Sequence, residues 1–131
     1  MKLNEVIKLR GNSNQNTKPF MAEFIESTTE SPLGKGRLYG DVLLDVSEFG
    51  GEIHVSDINA IGEKAKGSGT KALKFLTDLA DKHNVRLSGE AKAYSRDTDH
   101  IQNSERLVQW YLKHGFHSNG NKVTYSPKRY H

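Results

Sequence analysis

The stretch Ile58-Asn59-Ala60-Ile61-Gly62-Glu63-Lys64-Ala65-Lys66-Gly67-Ser68-Gly69-Thr70-Lys71-Ala72-Leu73 limits what this chain can fold into more than any other. An apolar, strand-like segment runs into a small-residue loop, and the loop opens directly into a helical pattern. Gly67 and Gly69 bracket Ser68, so the backbone can turn tightly and leave its amides uncovered. The first N–H groups of a helix lack intrahelical partners and carry positive dipole character. A glycine loop that feeds such an end is a cradle for phosphate. Lys64, Lys66 and Lys71 place positive charge around it.

The rest of the chain reads outward from that loop. Residues 2–10 read as a first strand and residues 11–18 as a polar loop. Residues 19–27 read as a second strand, because Phe20, Ala22 and Phe24 alternate with Met21, Glu23 and Ile25. A loop over 28–36 leads to a third strand over 38–46, a turn at Phe49-Gly50-Gly51 and a fourth strand over 52–61. Strands two to four in succession imply an antiparallel meander. The period then changes: Ala72, Leu73, Leu76, Leu79 and Ala80 fall at helical spacing from residue 70 to about 83. Thr70 or Ser68 is the candidate cap, with Lys82 and His83 in the last turn. A fifth strand over 85–91 follows at once, so the crossover places strands four and five parallel. A charged link over 92–103 leads to a second helix over 104–114 that buries Leu107, Val108 and Tyr111 and stops at Gly115. Phe116 opens a last strand, Asn119-Gly120 turns it, and residues 123–125 return.

A chain of 131 residues is long enough for one domain with a real core, taken here as residues 1–131. Mean hydropathy is −0.71, which suits strands with one wet face and long solvated loops. The absence of cysteine excludes a disulfide framework, a thiolate zinc site and a cysteine nucleophile. The six histidines show no metal-ligand spacing, so no metal is expected. No apolar run reaches membrane-spanning length and no signal-peptide core follows Met1, so a cytoplasmic protein without a membrane partner is expected. The net charge of +3 suits an anionic ligand but is too small to argue for nucleic acid.

Three families of phosphate loop bear on residues 62–70. A P-loop has the spacing of Gly62 and Gly67, but Ser68-Gly69 stand where it needs lysine and a hydroxyl. A dinucleotide fingerprint is met only loosely by Gly67-Ser68-Gly69 with Ala72, and three hairpin-joined strands are a poor start for a Rossmann fold. The third fits best. Lys64-Ala65-Lys66-Gly67-Ser68-Gly69 resembles the acetyl-coenzyme A loop [QR]-x-x-G-x-[GA] of the GNAT N-acetyltransferase superfamily, with lysine in the first position. Trp110-Tyr111-Leu112-Lys113-His114-Gly115-Phe116 resembles a second block of that family, at the end of its last helix. The resemblance is clearest from about residue 52 to 116.

The resemblance implies an α/β (α+β) fold: a mixed central sheet, an antiparallel N-terminal meander, and a parallel strand pair around a coenzyme A-binding loop and helix. It implies acetyl-CoA as cofactor, held by the backbone of Asn59, Ala60 and Ile61, by Lys64 and Lys66, and by Gly67, Ser68, Gly69 and Thr70, with Asn103 or Ser104 also in contact. It implies Tyr111 as general acid toward the departing thiolate. Glu52, His54 and Asp57 are the candidate bases on the fourth strand, the first two on one face. Asp57 has the opposite parity unless a bulge intervenes. Family members carry two helices between their first two strands, where this chain has only residues 11–18. An open acceptor side, completed by a second copy of the chain or another partner, is therefore expected. Direct transfer of acetyl to an amine, on a protein lysine or an N-terminus, is the leading reading. A non-catalytic module that binds or inhibits a macromolecule is the alternative. Contact with RNA through Lys64, Lys66, Lys113 and the basic tail is a third, with no interleaved aromatic–basic motif to support it.

Overall fold

The computed structural model describes residues 12–60, 68–91 and 100–127. Their elements, in chain order, are α1 (Asn12–Glu26), β1 (Thr29–Glu30), β2 (Arg37–Tyr39), β3 (Val42–Phe49), β4 (Glu52–Ala60), α2 (Ser68–His83), β5 (Leu87–Glu90), α3 (His100–Lys113), β6 (His117–Asn119) and β7 (Lys122–Tyr125). The strands form one sheet in the order β1-β2-β3-β4-β5-β7-β6. Only β4 and β5 pair in parallel; every other neighbouring pair is antiparallel. The expected mixed α+β architecture is therefore present, with the parallel pair at the crossover through α2.

Glycine turns set the meander. Gly50 and Gly51 both hold positive φ and close the two-residue loop between Phe49 and Glu52, a geometry that L side chains resist. Residues 38–46 are not one strand as expected. Gly40-Asp41 turns the chain back, so that Tyr39 pairs with Val42. The last hairpin turns on Gly120-Asn121, one residue later than expected, because Asn119 itself pairs with Lys122.

The largest correction falls at the N-terminal side. Residues 12–26 form one helix, where a polar loop and a strand were expected. Phe20 and Phe24 are buried while Ala22 is exposed, a helical and not an alternating pattern. Their rings face α2, where Phe24 stacks on Phe75. Glu23 meets Lys82 and His83 at 2.9 Å each, and these hydrogen bonds, that of Lys82 first, hold its carboxyl below the usual range. The C-terminal end of α1 is tied to β2. Arg37 donates to the Thr28 hydroxyl at 2.7 Å and to the carbonyls of Thr28 and Ile25. The expected strand over residues 2–10 lies outside the described residues. The charged link expected over 92–103 is helical from His100 onward.

One apolar cluster lies on one face of the sheet. Phe20 and Phe24 of α1, Ala72, Leu73, Leu76, Leu79 and Ala80 of α2, and Tyr111 of α3 meet Val42, Leu44, Ile53, Val55, Leu87, Val123 and Tyr125. The five helical positions expected to be buried in α2 are buried, and Thr77 joins them. Asn84, at φ 56°, ends α2, and the Val85 amide reaches back to the Ala80 carbonyl. The Tyr125 hydroxyl donates to Asp81 at 2.8 Å. Burial first, then that carboxylate, pushes its ionisation well above the usual phenol range.

Candidate functional site

β4 has two neighbours for only part of its length. Its parallel pairing with β5 runs through Ile53–Leu87, His54–Ser88 and Val55–Gly89 and stops there. On the other side it stays paired with β3 as far as Val42–Ala60. β5 follows β7 instead, and the Ala91 amide donates to the Asn121 carbonyl at 2.7 Å. The two parallel strands thus part beyond Val55, and among the described residues no strand pairs with that edge of β4 along the parting. Gly89 marks the last contact. A Cβ there would come within 2.8 Å of the Val55 carbonyl oxygen, so the strands approach more closely than a side chain permits.

α2 begins eight residues after β4 ends, with Ser68, Gly69 and Thr70 in its first turn. A strand followed by a helix is the order that the glycine motif implied. Ile61, Lys64, Lys66 and Gly67 lie outside the described residues. Asn59 is exposed, and Ala60 closes β4. Ser68, Gly69 and Thr70 are each half-buried. Thr70 lies within the first turn of α2, past the cap position expected for it, and its hydroxyl accepts a hydrogen bond from Trp110 Nε1 at 3.0 Å. Asn103 and Ser104 lie in α3.

The second motif is a helix terminus. The Phe116 amide donates to the Tyr111 carbonyl and the Gly115 amide to the Leu112 carbonyl, with Gly115 at φ 91°. These are the two bonds of a Schellman cap. The apolar contact that accompanies such a cap is Tyr111 against Phe116, their ring centroids 5.0 Å apart. Tyr111 is 7% exposed and also touches Trp110 edge-on. The spacing Tyr-x-x-x-Gly-Phe is therefore accounted for by the cap alone, whatever else Tyr111 does.

The candidate bases separate along β4. Glu52 stands at the start of the strand, beside the Gly-Gly turn, 3.6 Å from Arg86. His54 sits within the paired stretch, opposite Ser47 and Ser88, on the face away from the core. A bulge then intervenes. Asp45 pairs with Asp57 but Val46 pairs with Val55, which leaves Ser56 without a partner on β3. The bulge returns Asp57 to the face of Glu52 and His54, alongside the parting. Burial, and secondarily Asp45 across the strand, raise the Asp57 carboxyl above its ordinary value, against the pull of Lys35. Sequence parity alone placed Asp57 on the wrong face. The polar residue Ser56 between Val55 and Asp57 is the only local sign of the bulge.

Among the described residues no group of three or more His, Asp or Glu side chains gathers as a metal site would require. No described helix is long and apolar enough to cross a membrane. The sequence matches no protein-family model and no curated protein. In three dimensions the chain is similar to the crystal structure of an anti-CRISPR protein, AcrVA5, with a TM-score of 0.50 and 16% sequence identity. The match covers 66% of this chain and 90% of that one. Likeness at that identity concerns the fold. The mixed sheet, the parted parallel pair and the helix between them agree with a GNAT-like α/β arrangement. One helix, α1, stands where no helix was expected, in a region where family members were expected to carry two.

Proposed function

We propose that this chain is an acetyl-CoA-dependent N-acetyltransferase of the GNAT type. The observation that carries the reading is the parting of β4 and β5 beyond Val55–Gly89, with a glycine-bounded helix start at the same end of β4. Free strand edge and helix amides fit the two chemical halves of coenzyme A. Backbone groups of Asn59, Ala60 and Ile61 would pair with the amides of its pantetheine arm. The amides of Gly67, Ser68, Gly69 and Thr70, with Lys64 and Lys66, would hold its pyrophosphate. Asn103 or Ser104 would add a polar contact from α3. The cofactor supplies an activated acetyl thioester.

The chain's own part is positioning and proton movement. An ammonium acceptor must lose a proton before it attacks. Asp57 lies along the parting with a raised carboxyl, closer to a working base than an ordinary aspartate, and His54 and Glu52 share its face. Tyr111 would give a proton to the leaving thiolate. A CRISPR effector protein belongs among the acceptors to be tried, because the structural neighbour is an anti-CRISPR protein. A non-catalytic binding or inhibitory module is the second reading, and the 7% exposure of Tyr111 favours it.

Calorimetric titration with acetyl-CoA tests the proposal. Wild-type protein should bind in the micromolar range, about −8 kcal/mol, and Gly67→Glu should not. Absence of binding by the wild type overturns the enzyme reading. Tyr111→Phe then separates the two readings: a large fall in turnover with cofactor affinity kept supports the acid, and unchanged turnover removes it.

A further inference from the structure

Trp110 is the chain's single tryptophan, and it joins the two motifs. The Schellman cap at the end of α3 does not need it, since Tyr111, Leu112, Gly115 and Phe116 make that cap among themselves. Its indole turns instead to α2. Nε1–H donates to Thr70 Oγ1 at 3.0 Å. The ring edge lies against Gly69, where a Cβ would sit 3.7 Å from Cζ2. Edge-on contacts with Tyr111 and His114, at 5.0 and 5.7 Å between centroids, fix the ring on the α3 side. A polar bond and an apolar contact thus hold two consecutive residues of the first turn of α2 from a different helix. Helix ends fray unless something outside the helix holds them.

We propose that Trp110 is a positioning residue for the cofactor cradle: through Thr70 and Gly69 it holds the first turn of α2 in its binding geometry. The inference rests on the acyl-CoA reading of that turn for its ligand, but not for the clamp itself. Coenzyme A would then meet amides already ordered, without a loss of freedom on binding.

Three variants test this: Trp110→Phe removes the donor, Thr70→Val removes the acceptor, and Thr70→Ser keeps the acceptor. In ligand-free protein, the amides of Ala72, Leu73 and Lys74 bond to the carbonyls of the first turn and report its fraying. Their hydrogen exchange should quicken roughly five- to tenfold in Trp110→Phe and Thr70→Val, and return to the wild-type rate in Thr70→Ser. The exchange of the Leu79 and Ala80 amides should stay unchanged in all three. Affinity for coenzyme A should fall by a similar factor in the first two variants, and the double variant should be no weaker than either. Wild-type tryptophan emission should change as coenzyme A binds. Unchanged first-turn exchange in Trp110→Phe, or a Thr70→Ser variant as impaired as Thr70→Val, overturns the clamp. Coenzyme A binding that leaves the emission and the variants' affinities untouched also overturns it. Quickened exchange in a protein that binds no coenzyme A supports the clamp and removes the acyl-CoA reading instead.

Discussion

The two halves of β4 are built from similar residues and serve different ends. Ile53 and Val55 are buried between β3 and β5, under the helices, and the backbone there is bonded on both edges. From Ser56 onward the strand has, among the described residues, β3 on one edge only, with a bulge, a half-buried isoleucine at 58 and at 57 a carboxyl whose pKa is raised. The first half fixes the sheet. The second half leaves polar backbone available where α2 begins. A strand can do both only if its neighbour turns aside, and Gly89 is the residue at which β5 does so.

The comparison breaks most visibly in the core. Ile53→Ala deletes a side chain that is 0% exposed and should cost about 3 kcal/mol. In a domain of this size that lowers the thermal midpoint by roughly 10 °C. Ile58→Ala, the same deletion in the other half, should cost about 1 kcal/mol, because the side chain is only partly buried. Equal losses in paired thermal melts would mean that both halves belong to the core alike.

Gly89→Ala comes next. The added Cβ would meet the Val55 carbonyl oxygen at 2.8 Å, backbone that cannot swing aside as a side chain does. Forced separation of β4 and β5 should cost about 2 kcal/mol. It should also quicken hydrogen exchange at Leu87 and Ile53 more than at Ala60. A loss spread evenly along β4 would show that Gly89 does not mark the end of the paired half.

Legibility followed the same division. α2 was readable because its apolar residues recur at 72, 73, 76, 79 and 80, a spacing no strand uses. The end of α3 was readable because Gly115 and Phe116 form a cap within six residues of chain. α1 was not readable. Phe20 and Phe24 are four apart, a spacing that both periods share, and Pro19 lies inside the helix. No acidic residue stands in its first turn and no basic residue in its last, so neither end carries the charge that complements a helix dipole. Of its last carbonyls, that of Phe24 accepts from the Thr28 hydroxyl and that of Ile25 accepts from Arg37, twelve residues on. The hairpin at Gly40-Asp41 did carry a signal, a glycine followed by aspartate between apolar runs, which the longer strand pattern hid. Of the candidate site, the helix that follows the glycine motif was legible. The bulge that redirects Asp57 and the bond between Trp110 and Thr70 were not, because each depends on partners that only the fold supplies.

The smallest effect is the most specific to the open half. Asp45 and Asp57 stand opposite each other across β3 and β4, a like-charge pair on one face. Asp57→Asn removes the repulsion and the cost of holding a partly buried carboxylate ionised. At pH 7 it should therefore stabilise the protein, by about 0.5 kcal/mol. The sign follows from the raised folded value. Below the ordinary carboxyl value of 3.8 the group is protonated in both states and the variant gains nothing. As pH rises through that value and then through the raised folded value, wild-type stability falls, and the advantage of Asp57→Asn grows to its full size. Denaturant melts at pH 3 and pH 7 measure the difference directly. If Asp57 also serves as the base, the stabler variant should be the less active one, a trade expected of a functional residue and not of a core one. A variant that is stabler at pH 7 and fully active would leave the strained carboxylate without a catalytic purpose, and would move the role of base to His54 or Glu52.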